Sequence, residues 1–224
     1  MMLKVSEVLP IPVIAKIRNL IEAADWSDAP GRPGTPGRNN RQLHEDGKAA
    51  RAARALVMEG LSQSAMFVTA ALPRNIFPPL FNRYEGGAND YAKHIDAAVR
   101  TWAPAGTHIR ADLAATLFLS DPREYEGGEL IVEDGYGVQS VKLRPGELFL
   151  YPASNVHAVL PVTRGARLAC VFWVESMVRD GEQRRLLYEL DMSILALRAR
   201  RGDDAELQRL TGCYNNLMRM WATP

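Results

Sequence analysis

The sequence predicts an α+β fold with a mainly β core, an antiparallel sandwich or barrel with the jelly roll among its forms, flanked by helices at both ends. Three observations predict it. Between about residues 80 and 175 the chain breaks into short segments rich in β-branched, aromatic and leucine residues, such as "LAATLFLS", "GELIVED", "GELFLYP" and "RLACVFWV". Gly, Pro, Asp and Asn punctuate them in "SDP", "EGG", "EDGYG", "RPG" and "TRG", the residue types that close turns. On either side of this region the apolar residues recur at helical spacing instead.

In chain order, "PVIAKIRNLIEAADW" sets Val13, Ile14, Ile17, Leu20 and Ile21 along one stripe and predicts a first helix. The next stretch, "SDAPGRPGTPGRNNRQ", alternates Pro30, Pro33 and Pro36 with Gly31, Gly34 and Gly37. It is far too short for a collagen-type helix and reads as a mobile loop, with residues 28–40 a candidate lid. A second helix is expected over "GKAARAARALVMEGLSQSAMF", rich in alanine and leucine, before the prolines of "LPRNIFPPLF" stop it. After the strand-rich centre, "GEQRRLLYELDMSILALRARR" and "DDAELQRLTGCYNNLMRMW" predict two closing helices. Their basic residues read as a solvated face, and their apolar faces either pack on the barrel or join copies of the chain. Three regions follow: a helical segment over 1–77 packing on the barrel, a jelly-roll core over 78–177 and a helical extension over 178–224.

Composition narrows the function. With 224 residues, 47% of them hydrophobic and 24% charged, the chain can bury a sizeable core. A net charge of +1 gives no sign of a nucleic-acid or membrane partner. Two cysteines are too few for a disulfide framework, and Cys170, inside "LACVFWV", reads as a small core residue. No apolar run approaches the ~18 residues of a spanning helix. The start, "MMLKVSEVLPIP", lacks the pattern of a secretion signal, so a cytoplasmic location is expected.

The chemistry begins at "YAKHIDAAVR", which puts His94 two residues from Asp96 in a chain with four histidines. In an extended segment residues two apart point to one face. A surface pair would also satisfy that pattern, so a third group is needed. His44 lies in a polar linker and His108 in "WAPAGTHIR", which reads as a loop between strands, so both are bystanders. His157 follows "GELFLYPASNV" and opens an apolar strand, "HAVLPV", a placement suited to a ligand brought near across a sheet. Two histidines and a carboxylate are the ligand set of non-haem iron(II) oxygenases, which leaves positions open for cosubstrate and dioxygen. Zinc hydrolases use the same atoms, so the triad alone does not choose the metal.

Arg167 stands ten residues after His157, on the following strand across the turn "PVTRGA", where a guanidinium could grip the carboxylate of an organic acid in a bidentate pair. Arg164 competes from within the turn, but a turn residue aims less readily into a barrel. Tyr84 and Tyr91 precede His94 in the pattern Y-x-x-G-x-x-x-Y-x-x-H-x-D, where each serves either core packing or a carboxylate ligand. The adjacent glycines of "EGGEL" read as structural, permitting a tight turn or bulge where two backbones meet. Asn82, Arg110 and Asp112 are further cavity candidates of lesser weight.

The stretches "NRYEGGANDYAKHIDAAV", "ATLFLSDPREYEGGELIVED" and "VKLRPGELFLYPASNVHAVLPVTRGARLACVFWVESMVRD", with the closing helices, resemble the bacterial PKHD-type hydroxylases. These are relatives of prolyl and lysyl hydroxylases among the iron(II)- and 2-oxoglutarate-dependent dioxygenases. The resemblance spans nearly the whole chain and is weakest in the Gly/Pro loop. It implies a double-stranded β-helix, a jelly-roll variant. Residue by residue, it implies that His94, Asp96 and His157 bind Fe(2+), that Arg167 binds the distal carboxylate of 2-oxoglutarate, and that a tyrosine among Tyr84 and Tyr91 contacts that cosubstrate. It also implies L-ascorbate as an accessory cofactor. The expected reaction is hydroxylation of an unidentified small-molecule or protein substrate, with 2-oxoglutarate and dioxygen converted to succinate and carbon dioxide. Three other readings remain: a non-catalytic barrel sensing iron and 2-oxoglutarate, a zinc hydrolase on a cupin-like barrel, and a structural protein that forms a homo-oligomer through its C-terminal helices.

Overall fold

The computed structural model describes residues 1–29, 38–86 and 89–223. The central part of the expected lid therefore lies outside the described residues. In chain order the elements are β1 (Leu3–Val5), α1 (Ile11–Glu22), β2 (Trp26–Asp28), β3 (Arg38–Asn39), β4 (Arg41–Leu43), α2 (Lys48–Gln63), α3 (Ala65–Ala71), β5 (Pro73–Ile76), β6 (Leu80–Glu85) and β7 (Asn89–His94). There follow β8 (Val99–Trp102), β9 (Thr107–Arg110), β10 (Leu113–Phe118), β11 (Tyr125–Gly127), β12 (Leu130–Asp134), β13 (Gly137–Val141), β14 (Leu148–Pro152), β15 (His157–Ser176), α4 (Gly181–Arg201) and α5 (Ala205–Trp221).

Apart from β8 and β9, which pair only with each other, the strands pair antiparallel into two sheets that share β15. The larger runs β1-β14-β10-β15-β6-β4-β2. The smaller sets β11, β12 and β7 against the first half of β15, with β13 beside β12 and β3 beside β7. A mainly antiparallel β core with helices at both ends is the α+β jelly-roll architecture the segment pattern predicts. The 1–77 segment is more than helical, however. Its strands β1 and β4 pair with β14 and β6, covering sheet edges that would otherwise carry unpaired backbone groups.

One correction concerns "PVTRGA". The sequence reading makes it a turn between two strands, whereas the chain continues through it without a break as the single twenty-residue strand β15. The bend sits at Gly165, whose φ is +74° and where an added Cβ would lie 2.0 Å from the carbonyl oxygen of Glu124. Only glycine fits both the left-handed backbone and the close approach. Before the bend β15 pairs with β7 and β12, and after it with β6 and β10.

Alternation along the strands separates two cores. Leu113, Ala115 and Leu117 of β10, with Leu168, Cys170 and Phe172 of β15, face the N-terminal helices, where Ile14, Ile17, Val57 and Phe67 cover them. Ala114 and Phe118, with Phe149, Tyr151, Val159 and Trp173, face inward between the sheets. Cys170 is fully buried in the first core, as expected.

The expected second helix divides in two. Ser64 ends α2 and its Oγ accepts from the Phe67 N–H at 3.4 Å, capping α3. The predicted closing helices are α4 and α5, capped by Asp180 and Asp204. Leu187 of α4 packs with Leu72 and Val178, and Tyr214, Leu217 and Trp221 close over them. Thr69 Oγ1 donates to Asp191 at 2.7 Å and ties α3 to α4. Among the described residues no helix is long and apolar enough to cross a membrane.

Candidate metal centre

The inner space between the sheets opens as a cavity of about 590 Å³, solvent at its mouth included, and all six sequence-predicted site residues line it. His94 is the last residue of β7 and His157 the first of β15, and the two are cross-strand partners. Their rings stand 4.2 Å apart between centroids. Asp96 lies just past the end of β7, with its carboxylate oxygens 3.9 Å from His94 Nε2 and 3.5 Å from His157 Nε2. One ligand atom from each of the three falls within 4.8 Å of the others.

Backbone carbonyls orient both imidazoles. His94 Nδ1 lies 2.8 Å from the Ala92 oxygen and His157 Nδ1 lies 3.0 Å from the Asn155 oxygen. A carbonyl only accepts, so each Nδ1 carries the proton and each Nε2 turns a lone pair toward Asp96. Burial first, and His157 second, pulls the His94 pKa below the ordinary histidine value, so the ring stays neutral. Asp96 Oδ2 is buried without a hydrogen-bond partner. Two lone pairs and an orphaned carboxylate oxygen aimed at one point repel unless a cation sits among them, and the donor set fits a divalent metal.

Arg167, 1% exposed, supplies the opposite sign. Its guanidinium lies 5.2 Å from the ring centroids of Tyr84 and Phe118, and its Nε and Nη2 are buried without hydrogen-bond partners. It makes no ion pair among the described residues. Placing an unpaired cation in the interior is costly, and the cavity leaves the charge of this guanidinium uncompensated among the described residues. Gly128, at φ +68°, makes room for it: an added Cβ would lie 3.1 Å from Arg167 Cδ. The structural reading of "EGGEL" holds for that reason.

The two tyrosines serve different ends. Tyr84 is the register partner of Arg167 across β6 and β15, and burial raises its pKa, which keeps the phenol a neutral donor. Tyr91 instead stacks on the His94 ring, with centroids 3.7 Å apart and planes at 21°. Of the lesser candidates, Asn82 lines the cavity. Arg110 and Asp112 pair with each other through 2.8 and 2.9 Å hydrogen bonds away from it. Arg164 is turned out to solvent against Glu126 at 2.8 Å. His44 is exposed. His108 is a bystander as expected but stands on β9 rather than in a loop, 3.0 Å from Thr101 Oγ1.

Sequence reasoning missed Tyr151, Arg38, Arg100 and Trp173 of the cavity wall. Tyr151 meets the His157 ring edge-on at 5.2 Å. Alternation in "LFLYP" was a usable signal, because it sets Tyr151 opposite Leu148 and Leu150, which face the helices. Arg38 and Arg100 carried no comparable signal.

Comparison with known proteins agrees with this geometry. Residues 79–175 match the 2OG-Fe(II) oxygenase superfamily and residues 181–223 match the PKHD-type hydroxylase C-terminal domain. A PKHD-type hydroxylase of Polaromonas sp. is 48% identical over 99% of both chains, and one from Xanthomonas axonopodis pv. citri is 49% identical over 99% of both. Among solved structures, a prolyl hydroxylase from Trichoplax adhaerens in complex with a hypoxia inducible factor peptide fragment superposes with a TM-score of 0.56 at 17% identity, covering 83% of this chain and 86% of the other. A Pseudomonas putida prolyl-4-hydroxylase superposes with a TM-score of 0.51 at 21% identity, covering 78% and 92%. At such identities these structures speak to the fold.

Proposed function

From the premise that this chain belongs to the PKHD-type hydroxylases, iron(II)- and 2-oxoglutarate-dependent dioxygenases, we propose that His94, Asp96 and His157 hold the iron and that Arg167 anchors the distal carboxylate of 2-oxoglutarate. One observation carries the assignment. The same cavity holds a three-ligand face with its lone pairs convergent and, apart from it, a buried guanidinium with no counter-charge among the described residues. A divalent cation and a small dicarboxylate with a 2-oxo end satisfy both. A zinc hydrolase has no use for the second feature.

When bound, iron(II) supplies dioxygen activation coupled to oxidative decarboxylation of the cosubstrate, which drives hydroxylation of the substrate. The protein's own part is positional. The carbonyls of Ala92 and Asn155 hold the imidazole protons on Nδ1, and the Tyr91 ring fixes the plane of His94. Arg167 offers two parallel donors to the carboxylate and Tyr84 adds a phenolic donor beside it. The apolar inner faces of the sheets restrict water around the reacting groups. L-ascorbate, keeping the metal reduced, and a cytoplasmic setting belong to the same proposal. The first rests on the resemblance alone, and both unpaired cysteines suit the second. Succinate formation with and without added ascorbate tests the former.

The decisive experiment is an anaerobic titration of metal-free protein with iron(II) and then 2-oxoglutarate, followed by visible spectroscopy. A metal-to-ligand charge-transfer band is expected, weakened in an Arg167→Ala variant. Iron binding without any band would overturn the cosubstrate assignment.

A further inference from the structure

The charged groups on the cavity wall do not balance, even with the metal and cosubstrate counted. Among the described residues, three guanidinium groups, Arg38, Arg100 and Arg167, line it against one carboxylate, that of Asp96. A divalent cation adds two positive charges and a dianionic cosubstrate removes two, so together they leave the balance of the wall unchanged. Arg167 is accounted for above, which leaves Arg38 as the group to explain.

Arg38 is held as a rigid fork rather than as a solvated surface chain. Its Nε donates to Asn40 Oδ1 at 3.0 Å, and its Nη2 donates to Gln42 Oε1 at 2.8 Å and Asn82 Oδ1 at 3.2 Å. All three partners are neutral amide oxygens. They orient the guanidinium without cancelling its charge, and it makes no ion pair among the described residues. The cation lies 5.4 Å from the Tyr91 ring centroid, and that ring is the one stacked on His94. Arg38 and His94 thus share the Tyr91 ring as a neighbour. Arg100 lies against the face of Trp173, 3.4 Å from the ring centroid, and brings a second cation to the same wall from β8.

We propose that the substrate hydroxylated here is an anion, and that Arg38 recognises its carboxylate or phosphate group. The proposal rests on the iron and 2-oxoglutarate reading of the site and names the substrate class for it. With Nε and Nη2 taken up by those amides, Nη1 keeps its two N–H donors for an oxygen of an anionic group, and the guanidinium keeps its full charge. Positive charge in a cleft with apolar walls also raises the local concentration of anions.

The test uses the full chain loaded anaerobically with iron(II) and 2-oxoglutarate. It is titrated with benzoate, phenyl phosphate and neutral benzamide while tryptophan fluorescence and the charge-transfer band are followed. At least one of the two anions is expected to bind tenfold or more tightly than benzamide, and whichever is tighter identifies carboxylate or phosphate. Arg38→Gln should remove that preference and Arg38→Lys should restore part of it, while 2-oxoglutarate still produces its band in both. Equal affinity for anion and amide, or binding of none of the three, overturns the proposal. An Arg38→Gln protein that keeps the preference overturns it too, and one that loses 2-oxoglutarate makes Arg38 a cosubstrate residue instead. Absence of the band in the unsubstituted protein would be a separate failure, that of the metal and cosubstrate reading underneath.

Discussion

His157 and Arg167 stand on one continuous strand, on opposite sides of the bend at Gly165, and both turn into the same cavity. The bend carries β15 from the smaller sheet, where His157 pairs with His94, to the larger one, where Arg167 pairs with Tyr84. The spacing between the His-Asp-His cluster and the buried guanidinium is thus built into a single piece of backbone.

Replacing Gly165 should damage both sites at once. The left-handed φ disfavours any L side chain by about 1–2 kcal/mol, and a Cβ there meets the Glu124 carbonyl oxygen at 2.0 Å. Gly165→Ala is expected to lose more than about 2 kcal/mol of stability. Chemical denaturation would show it, and an unchanged midpoint would mean that the bend does not need glycine.

His157→Ala should remove one of the three proposed metal ligands while leaving the sheets paired. The loss of iron(II) affinity is expected to exceed the roughly 10–100-fold that follows removal of an outer-sphere partner. Equilibrium dialysis under anaerobic conditions measures it. Succinate production at the unsubstituted rate would remove His157 from the metal site.

The unpaired Arg167 makes a prediction of opposite sign for the empty and loaded protein. Arg167→Met replaces a buried, uncompensated cation with an apolar chain, so the protein without 2-oxoglutarate should gain at least ~1 kcal/mol. The same variant should lose the ligand-induced rise in Tm, which for a site at a hundred times its Kd corresponds to about 2.7 kcal/mol. Thermal unfolding with and without 2-oxoglutarate gives both numbers. A destabilised variant that still responds to the ligand would contradict the role given to Arg167.

Tyr84→Phe keeps the ring beside Arg167 and removes the donor. A hydrogen bond to a charged group contributes about 1.5–3 kcal/mol, so 2-oxoglutarate affinity should fall at least about tenfold, with iron(II) affinity unchanged. Tyr91→Ala should do the reverse, loosening His94 and the metal more than the cosubstrate. Parallel titrations of the two variants assign the tyrosines.

The cysteines should separate under alkylation. Cys213 is exposed, whereas Cys170 is fully buried and burial pushes its thiol pKa well above the ordinary value. Mass spectrometry after iodoacetamide treatment of the native protein should find label on Cys213 and none on Cys170 until denaturant is added.

Much of this protein is written locally. Helical spacing of Ile14, Ile17 and Ile21, the alternation of the β segments and the two-residue step from His94 to Asp96 depend on neighbours along the chain, and a linear reading recovers them. His157 was recoverable because a histidine opening an apolar strand is itself unusual. The break at Ser64 escaped because alanine-rich helix runs up to it on both sides and a single serine cap decides the boundary. The continuity of β15 escaped because "TRG" has turn composition, yet those residues find ladder partners in β11, which no local pattern reveals.

The sequence by itself determined the strand-rich centre between helices, the chemistry of a His-Asp-His face and an arginine ten residues beyond it. Tertiary structure alone decided that Arg167 has no counter-charge among the described residues, that Tyr84 belongs to Arg167 and Tyr91 to His94, and that Arg38 and Arg100 share their cavity. The physical reason is that composition and periodicity report which face a residue takes, while charge balance and ring stacking depend on which distant residues arrive at that face. Those arrivals are set by sheet register and by one glycine bend.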